Sequence, residues 1–276
     1  TAGGIGAVIH NASELPGYLS MTLSYDVNTG KAAPYSALTI VSTAAWGLGY
    51  FGMPHILLRF MAIEDEKKLK LSRRVATIWV VISLFVAVFI GVIGYTMSKV
   101  GALEMLTGSN SETIIVKISA LLSQHGVIFA LLAGVILAGI LASTMSTSDS
   151  QLLAASSAVS SDILGAFRKD SSNKNGSMAA ARITLLVISV VAAFIARNPD
   201  SSVFAIVSFA WAGFGAAFGP VVLFSLFWKR TNKWGALAGM VCGGSMVFIW
   251  KYLIRPLGGI WNIYELLPAF LIACAA

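Results

Sequence analysis

A cluster of hydroxyl side chains is the feature of this sequence that most clearly suggests a binding site. Residues 143–150, STMSTSDS, carry six hydroxyl side chains in eight positions, directly after the apolar run 127–141. Positions 143, 146, 147 and 150 follow an i, i+3, i+4, i+7 spacing, which places them on one face of a helix. Neutral oxygens suit a hard monovalent cation that must be released as well as bound. The pattern therefore favours sodium as a ligand.

Two features of the same segment allow a different interpretation. Gly139, Ser143 and Thr147 also form a small-xxx-small ridge of the kind that lets membrane helices pack closely. Asp149 is an ionisable residue at or near membrane depth, where a charge costs roughly 2.5–3.5 kcal/mol at the centre. It is either an ion or proton group or a hydrated structural carboxylate, and the residues alone leave both alternatives open.

A second unusual stretch is WGLGYFGMP, residues 46–54, which holds three glycines and a proline in nine positions of an apolar run. In a helix interior Gly costs about 1 kcal/mol and Pro about 3 kcal/mol relative to Ala. Pro54 also lacks the N–H that would bond to the carbonyl of Tyr50. A broken membrane helix is tolerated beside a polar cavity and indicates a transporter's substrate site. A kink that merely eases helix packing is the alternative.

The composition of the chain indicates an integral membrane protein. Of its 276 residues 57% are hydrophobic and 11% are charged, and the mean hydropathy is +0.81. Soluble domains contain about 25% charged residues. With roughly 20 residues per span, the length predicts six or seven transmembrane helices. We expect an external loop over residues 1–34, with a short helix near 12–21, and a solvated loop over 64–74. The predicted spans are 35–62, 75–98, 127–164, 179–196, 203–228, 235–254 and a last one from about 259, with an interfacial helix near 112–123.

The net charge of +7 follows the sidedness of the loops. Alternate loops carry twelve lysines and arginines on one side and six on the other. By the positive-inside rule residues 64–74 are cytoplasmic and residues 1–34 lie outside, so no nucleic-acid partner is needed to explain the charge. Cys242 and Cys274 have no partner at metal or redox spacing, and the three histidines show no zinc or hydrolase pattern. We therefore expect a protein that is not an enzyme.

Three motifs in order carry a resemblance to a known family. They are WGLGYFGMPH at residues 46–55, GILASTMSTSDSQLL at 139–153 and VSFAWAGFGAAFGPVVL at 207–223. Together they resemble the sodium/solute symporter family, specifically its sodium/proline symporter branch, over essentially all of the chain from about residue 35. Both ends of the sequence look cut, so we expect a part of a longer protein.

The resemblance implies an all-α, LeuT-like inverted-repeat transporter. In that scheme residues 35–228 form the second repeat, residues 235–276 form accessory helices, and the first repeat belongs to the missing N-terminal half. The family match implies L-proline binding by Trp46, Tyr50 and Pro54. It implies sodium binding by the hydroxyls of Ser146 and Thr147 and the carbonyl of residue 143, where Ser stands in place of the family's Ala.

The implied activity is sodium-coupled symport of L-proline across the bacterial inner membrane by alternating access. Two alternatives stay open at this point. One is symport of another small organic solute, such as pantothenate or a sugar. The other is a sensory membrane module of a signalling protein, because similar domains occur fused to kinases.

Overall fold

The computed structural model of the protein describes residues 3–26, 29–163, 174–197 and 202–276. The chain forms two compact units, one of Thr1–Leu106 with Ser202–Ala276 and one of Thr107–Ser201. Within the described residues five helices are long and apolar enough to cross a membrane. They are Lys68–Lys99, Val127–Ile163, Met178–Ile195, Val203–Phe227 and Lys233–Leu257.

The first unit begins with a short helix and a β-hairpin. Helix α1 spans Gly4–Ser13, so the prediction of a helix near residues 12–21 is wrong. Gly17, with a φ of 78°, lies in a left-handed turn that a continuing helix does not allow. Strands β1 (Leu23–Asp26) and β2 (Lys31–Pro34) then pair antiparallel, which the sequence analysis did not predict.

The first predicted span is broken, as its glycines and proline indicate. Helix α2 (Ala37–Ala44) is followed by α3 (Trp46–Gly49), a 3₁₀ turn (Tyr50–Gly52) and helix α4 (Pro54–Met61). Between the 3₁₀ turn and α4, Met53 is extended, with φ −83° and ψ 110°. The residue before a proline is pushed out of the helical region, and proline fits the first turn of a helix because that turn needs no N–H partner.

Helix α5 spans Lys68–Lys99 and ends one residue beyond the predicted span. It begins inside the charged segment that we expected to be loop, because lysine and arginine are good helix formers and the helix can extend past the hydrocarbon. Its last turns are buried against α1, where Thr96 and Met97 lie. An ion pair between Lys99 and Glu14 joins the two helices.

The second unit is built around one very long helix. A 3₁₀ segment (Gly108–Thr113) leads to helix α6 (Ile114–Ser123), and α7 (Val127–Ser157) continues through a π-helical turn (Ala158–Ile163). At 1.5 Å per residue the 37 residues of Val127–Ile163 are about 55 Å long, well beyond a hydrocarbon core of about 30 Å. Helix α8 (Lys174–Ile195) packs on α7, and the Ser156 hydroxyl donates to the Ala181 carbonyl at 2.7 Å.

Three further helices complete the first unit. Helix α9 spans Val203–Phe227 and α10 spans Lys233–Ile249, continued by a π-helical turn Trp250–Ile254. Two short 3₁₀ turns follow, and α11 spans Leu266–Ala275. The helix thus begins later than the residue 259 we predicted, because Gly258 and Gly259 have φ values of 73° and 60°.

The core of this unit lies where α3, α9, α10 and α11 meet. Its fully buried residues are small or compact, which lets the helix axes approach closely. They are Ala212, Ala216, Val247, Leu266 and Ala269.

Candidate functional site

An aromatic cluster surrounds the first residue of the broken segment. The ring of Trp46 is stacked on those of Phe204, Trp211 and Tyr264, with centroid distances of 5.5, 5.9 and 5.8 Å. Tyr50, one helical turn further on, meets the Trp211 ring edge-on at 4.7 Å. Such ring pairs contribute about 0.5–1.5 kcal/mol each beyond the area they bury. The cluster therefore fixes the orientation of Trp46 and brings Tyr50 beside it.

Three hydrogen bonds hold this cluster to the backbone. The indole N–H of Trp211 donates to the carbonyl of Trp46 at 3.0 Å, across 165 positions of sequence. The Tyr264 hydroxyl donates to the Ser208 carbonyl at 2.6 Å, and the Tyr264 backbone N–H donates to the Ser42 hydroxyl at 3.1 Å. Burial, reinforced by the neighbouring Glu265, raises the pKa of Tyr264 well above its ordinary value, so the phenol stays a proton donor.

Two of the three glycines at the break are there for close helix approach. A Cβ on Gly49 would overlap the indole of Trp211, and a Cβ on Gly52 would overlap the backbone carbonyl of Phe214. Both glycines are buried against α9. Gly47 is different, because a Cβ there would meet nothing within 4 Å. Packing and a break in the helix are therefore both properties of this segment.

The predicted solute-binding residues take different environments. Trp46 is partly buried within the aromatic cluster. Tyr50 is 55% exposed, and its ring meets the edge of Trp211. Pro54 is partly buried at the start of α4, after the extended Met53. The structure thus brings Trp46 and Tyr50 together and places Pro54 at the other side of the break.

An open cavity of about 150 Å³ lies against Trp46. A single water needs only about 10–15 Å³ of comparable space, so the cavity is large enough for a small organic molecule. Its wall combines hydroxyls, aromatic rings and one cation. The lining residues are Ser42, Thr43, Trp46, Phe204, Ser208, Arg255 and Tyr264.

The cluster of hydroxyls at residues 143–150 lies on α7, in the second unit. Its predicted sodium ligands Ser143, Ser146 and Thr147 are all exposed. The Thr147 hydroxyl donates to the Ser143 carbonyl at 3.2 Å, and the Ser150 hydroxyl donates to the Ser146 carbonyl at 2.9 Å. A hydroxyl that donates in this way keeps its lone pairs for a cation. Two of the predicted ligands, the Ser143 carbonyl and the Thr147 hydroxyl, are therefore already adjacent. Asp149 is exposed on the same helix.

Sequence reasoning missed several residues of the aromatic cavity. Trp211 lies in one of the three motifs that carry the family resemblance, but no role was predicted for it, and Arg255 was not singled out among the basic residues of the loops. Tyr264 and Phe204 carried no local signal. Aromatic residues next to the glycine-rich motif at residues 207–223 were the available hint, but no pattern in the sequence pairs them with Trp46.

Five long apolar helices, together with a broken apolar helix whose residues before the break line a cavity, are typical of multi-pass helical membrane transporters. Comparison with known families identifies the group. The chain belongs to the sodium:solute symporter family, whose family model matches residues 7–243. The match begins earlier than the residue 35 from which we recognised the resemblance, and it ends within helix α10.

The most similar curated proteins include several with proline in their names. The chain is 39% identical over 241 residues to the osmoregulated proline transporter OpuE of Bacillus subtilis, covering 87% of this chain and 47% of that protein. It is 40% identical to the sodium/proline symporter of Salmonella typhimurium, covering 85% of this chain and 45% of that protein. The sodium/proline symporter of Escherichia coli is 39% identical, with the same coverage. The chain thus spans about half the length of the curated relatives it matches. No solved structure matches it.

Proposed function

We propose that this chain is part of a symporter that couples the entry of L-proline to the downhill movement of sodium. The observation that carries the proposal is a sequence identity of 39–40%, over most of the chain, to proteins named as sodium/proline symporters. The aromatic cavity beside Trp46, the first residue of the broken segment, supports it, because ring faces can pack against a pyrrolidine ring. A membrane enzyme would require a catalytic constellation, which the sequence patterns do not suggest.

The proposed solute site is formed by Trp46, Tyr50 and Pro54. Trp46 offers a ring held in place by its neighbours, and Tyr50 offers an exposed ring with a hydroxyl. The break at Pro54 interrupts the helical hydrogen bonds, and such interruptions can supply backbone groups to a charged group of the solute. These features suit a small zwitterion with an apolar ring.

The proposed sodium site is formed by Ser146, Thr147 and the carbonyl of Ser143. Three neutral oxygens on one face of α7 are an incomplete shell for a cation that takes about six oxygen ligands. We propose that the remaining ligands come from a first repeat outside this chain, within a LeuT-like fold in which residues 35–228 are the second repeat. The coverage of 45–47% of the relatives is compatible with that arrangement.

Coupling then follows from linkage. If sodium stabilises the outward-facing state that binds proline, each ligand raises the affinity for the other by the same factor. Movement of one helical bundle against the other would then release both inside the cell by alternating access. We place residues 64–74 in the cytoplasm and residues 1–34 outside the bacterial inner membrane, on the basis of the loop charges.

Uptake of labelled L-proline into proteoliposomes tests the proposal. The protein to use is the full-length transporter that contains this sequence, first with an inward sodium gradient and then with potassium replacing sodium. We expect saturable uptake that collapses without sodium. Unlabelled pantothenate, glucose and proline are then compared as inhibitors of the uptake of labelled proline. If pantothenate or glucose inhibits at lower concentrations than unlabelled proline does, that compound is the better candidate for the transported solute. Folded protein with no sodium-dependent proline uptake would contradict proline symport and leave symport of another solute or a sensory role.

A further inference from the structure

A buried carboxylate lies beside the aromatic cavity. The Glu265 side chain is only 1% exposed, at the start of α11. One of its oxygens accepts from the Arg255 guanidinium at 2.9 Å, and the other lies 3.9 Å from the Lys251 ammonium. A carboxylate removed from water in this way requires charged partners. Two cations therefore converge on one anion, and this group of three carries a net positive charge of one.

The two cations around Glu265 have different surroundings. The Lys251 ammonium lies over the ring of Phe209, 3.9 Å from its centroid, and Lys251 is not among the residues that line the cavity. Arg255 lines the cavity together with Trp46, and its side chain is 41% exposed. Arg255 is thus the cation of this group that lies at the cavity.

Arg255 is held in one orientation by two partners. Its Nε–H donates to the Asn262 side-chain oxygen at 3.0 Å, while one terminal nitrogen donates to Glu265. A guanidinium has five N–H donors in a fixed planar fork, so donors remain beyond these two bonds. A planar donor group of this kind matches the geometry of a carboxylate.

Other residues that line the cavity supply complementary groups. The Ser42 hydroxyl accepts from the Tyr264 backbone N–H and keeps its own proton to donate. The Trp46 and Tyr264 rings form an apolar surface that can receive a ring or, by cation–π attraction, an ammonium group. The cavity thus combines a cation, a hydroxyl donor and aromatic ring faces. These are the groups needed to bind an amino acid with an apolar side chain.

We propose that Arg255 binds the carboxylate of the transported solute in this cavity, and that Glu265 is the residue that positions it. The inference rests on the proposed symport function and deepens it, because it identifies the group by which a free carboxylate is distinguished from an amide. Arg255 and Ser42 bind the carboxylate, and Trp46 contacts the ring of the solute.

Uptake kinetics in proteoliposomes of the full-length protein test this assignment. We expect Arg255→Gln to raise the KM for L-proline at least tenfold with little change in the maximal rate, and Arg255→Lys to recover part of the loss. Prolinamide, which has an amide in place of the carboxylate, is the probe of recognition. Its inhibition constant should be nearly the same in Arg255→Gln as in the wild type, so the preference for proline over prolinamide narrows.

Lys251→Gln is the matched control, because it removes the other cation at Glu265 without touching the cavity. We expect its KM and its preference for proline to resemble the wild type. The assignment is overturned if Arg255→Gln keeps the wild-type KM and preference, or lowers only the maximal rate, or if Lys251→Gln changes the preference equally. Wild-type protein without sodium-dependent proline uptake would instead refute the symport proposal itself, so the two failures are distinguishable.

Discussion

Replacing Gly52 by alanine tests whether the helix break depends on contact between backbones. The added Cβ would overlap the Phe214 carbonyl oxygen and lie 2.8 Å from the Cα of Gly215. These are backbone atoms of α9, so no flexible side chain can move aside. Gly52 does not have a positive φ, and alanine is therefore not strained by the backbone itself.

The magnitude follows from two opposing contributions. Inserting a methyl group into a close contact costs about 1–3 kcal/mol, and backbone atoms place this case toward the upper end. The better helix propensity of alanine returns up to about 1 kcal/mol. Gly52→Ala should therefore destabilise the protein by about 2 kcal/mol. Gly47→Ala is the matched control, since its Cβ would meet nothing within 4 Å and only the favourable contribution applies.

Thermal unfolding in detergent measures the difference, with both variants prepared in the same background. Each kcal/mol corresponds to about 2–4 °C for chains of 150–250 residues, so Gly52→Ala should melt about 4–8 °C below the wild type. Gly47→Ala should melt at or slightly above the wild-type temperature. Equal midpoints for the two variants would refute the argument that Gly52 is required for the approach of α9.

Three further predictions concern the proposed sodium site, the hydrogen bond between α3 and α9, and the buried carboxylate of Glu265. Thr147→Ala should raise the sodium concentration for half-maximal uptake about tenfold. Thr144→Ala is the control and should leave that concentration unchanged, because the Thr144 hydroxyl donates to the Ile140 carbonyl at 2.9 Å and lies off the face that holds Thr147. An unchanged sodium dependence in Thr147→Ala would remove Thr147 from the site. Trp211→Phe keeps a ring but deletes the N–H that donates to the Trp46 carbonyl, so it should lower the free energy of unfolding by about 1 kcal/mol. An unaltered midpoint of thermal unfolding would mean that this hydrogen bond does not contribute to stability. Glu265→Gln should lower the free energy of unfolding by about 1–2 kcal/mol, which is less than for a fully buried ion pair because Arg255 is 41% exposed. This loss of stability should become smaller at high salt. A loss that does not depend on salt would contradict an electrostatic cause.

The long helices could be predicted from the sequence because hydropathy and length determine them. Helix α5 ends at Lys99, one residue beyond the prediction, and the α7 segment is helical through Ile163, the last residue that the structure describes before residue 174. The start of α5 was missed, because charged residues that favour helix look the same as a solvated loop. The hairpin at β1 and β2 was missed because four-residue strands leave little periodicity to detect.

The candidate site was predictable only where its residues are close in sequence. Trp46 and Tyr50 are one helical turn apart, and Ser143 and Thr147 are likewise separated by one turn, so periodicity alone places each pair on one face. Trp211 meets Trp46 across 165 positions, and that pairing depends on how α9 packs against α3. Arg255 and Tyr264 line the same cavity, and the turn at Gly258 and Gly259 lies between them in the chain. Nothing local in the sequence encodes either approach.

The contact at Gly49 and Gly215 affects how the broken helix can move. A Cβ on Gly215 would lie 2.7 Å from the Cα of Gly49, so the two backbones are in direct contact at this point. The Trp211–Trp46 hydrogen bond and the ring contacts of Trp46 and Tyr50 with Trp211 also hold α3 to α9. If the broken segment moves, we therefore expect α3 to stay with α9 and α4 to turn about the extended residue Met53.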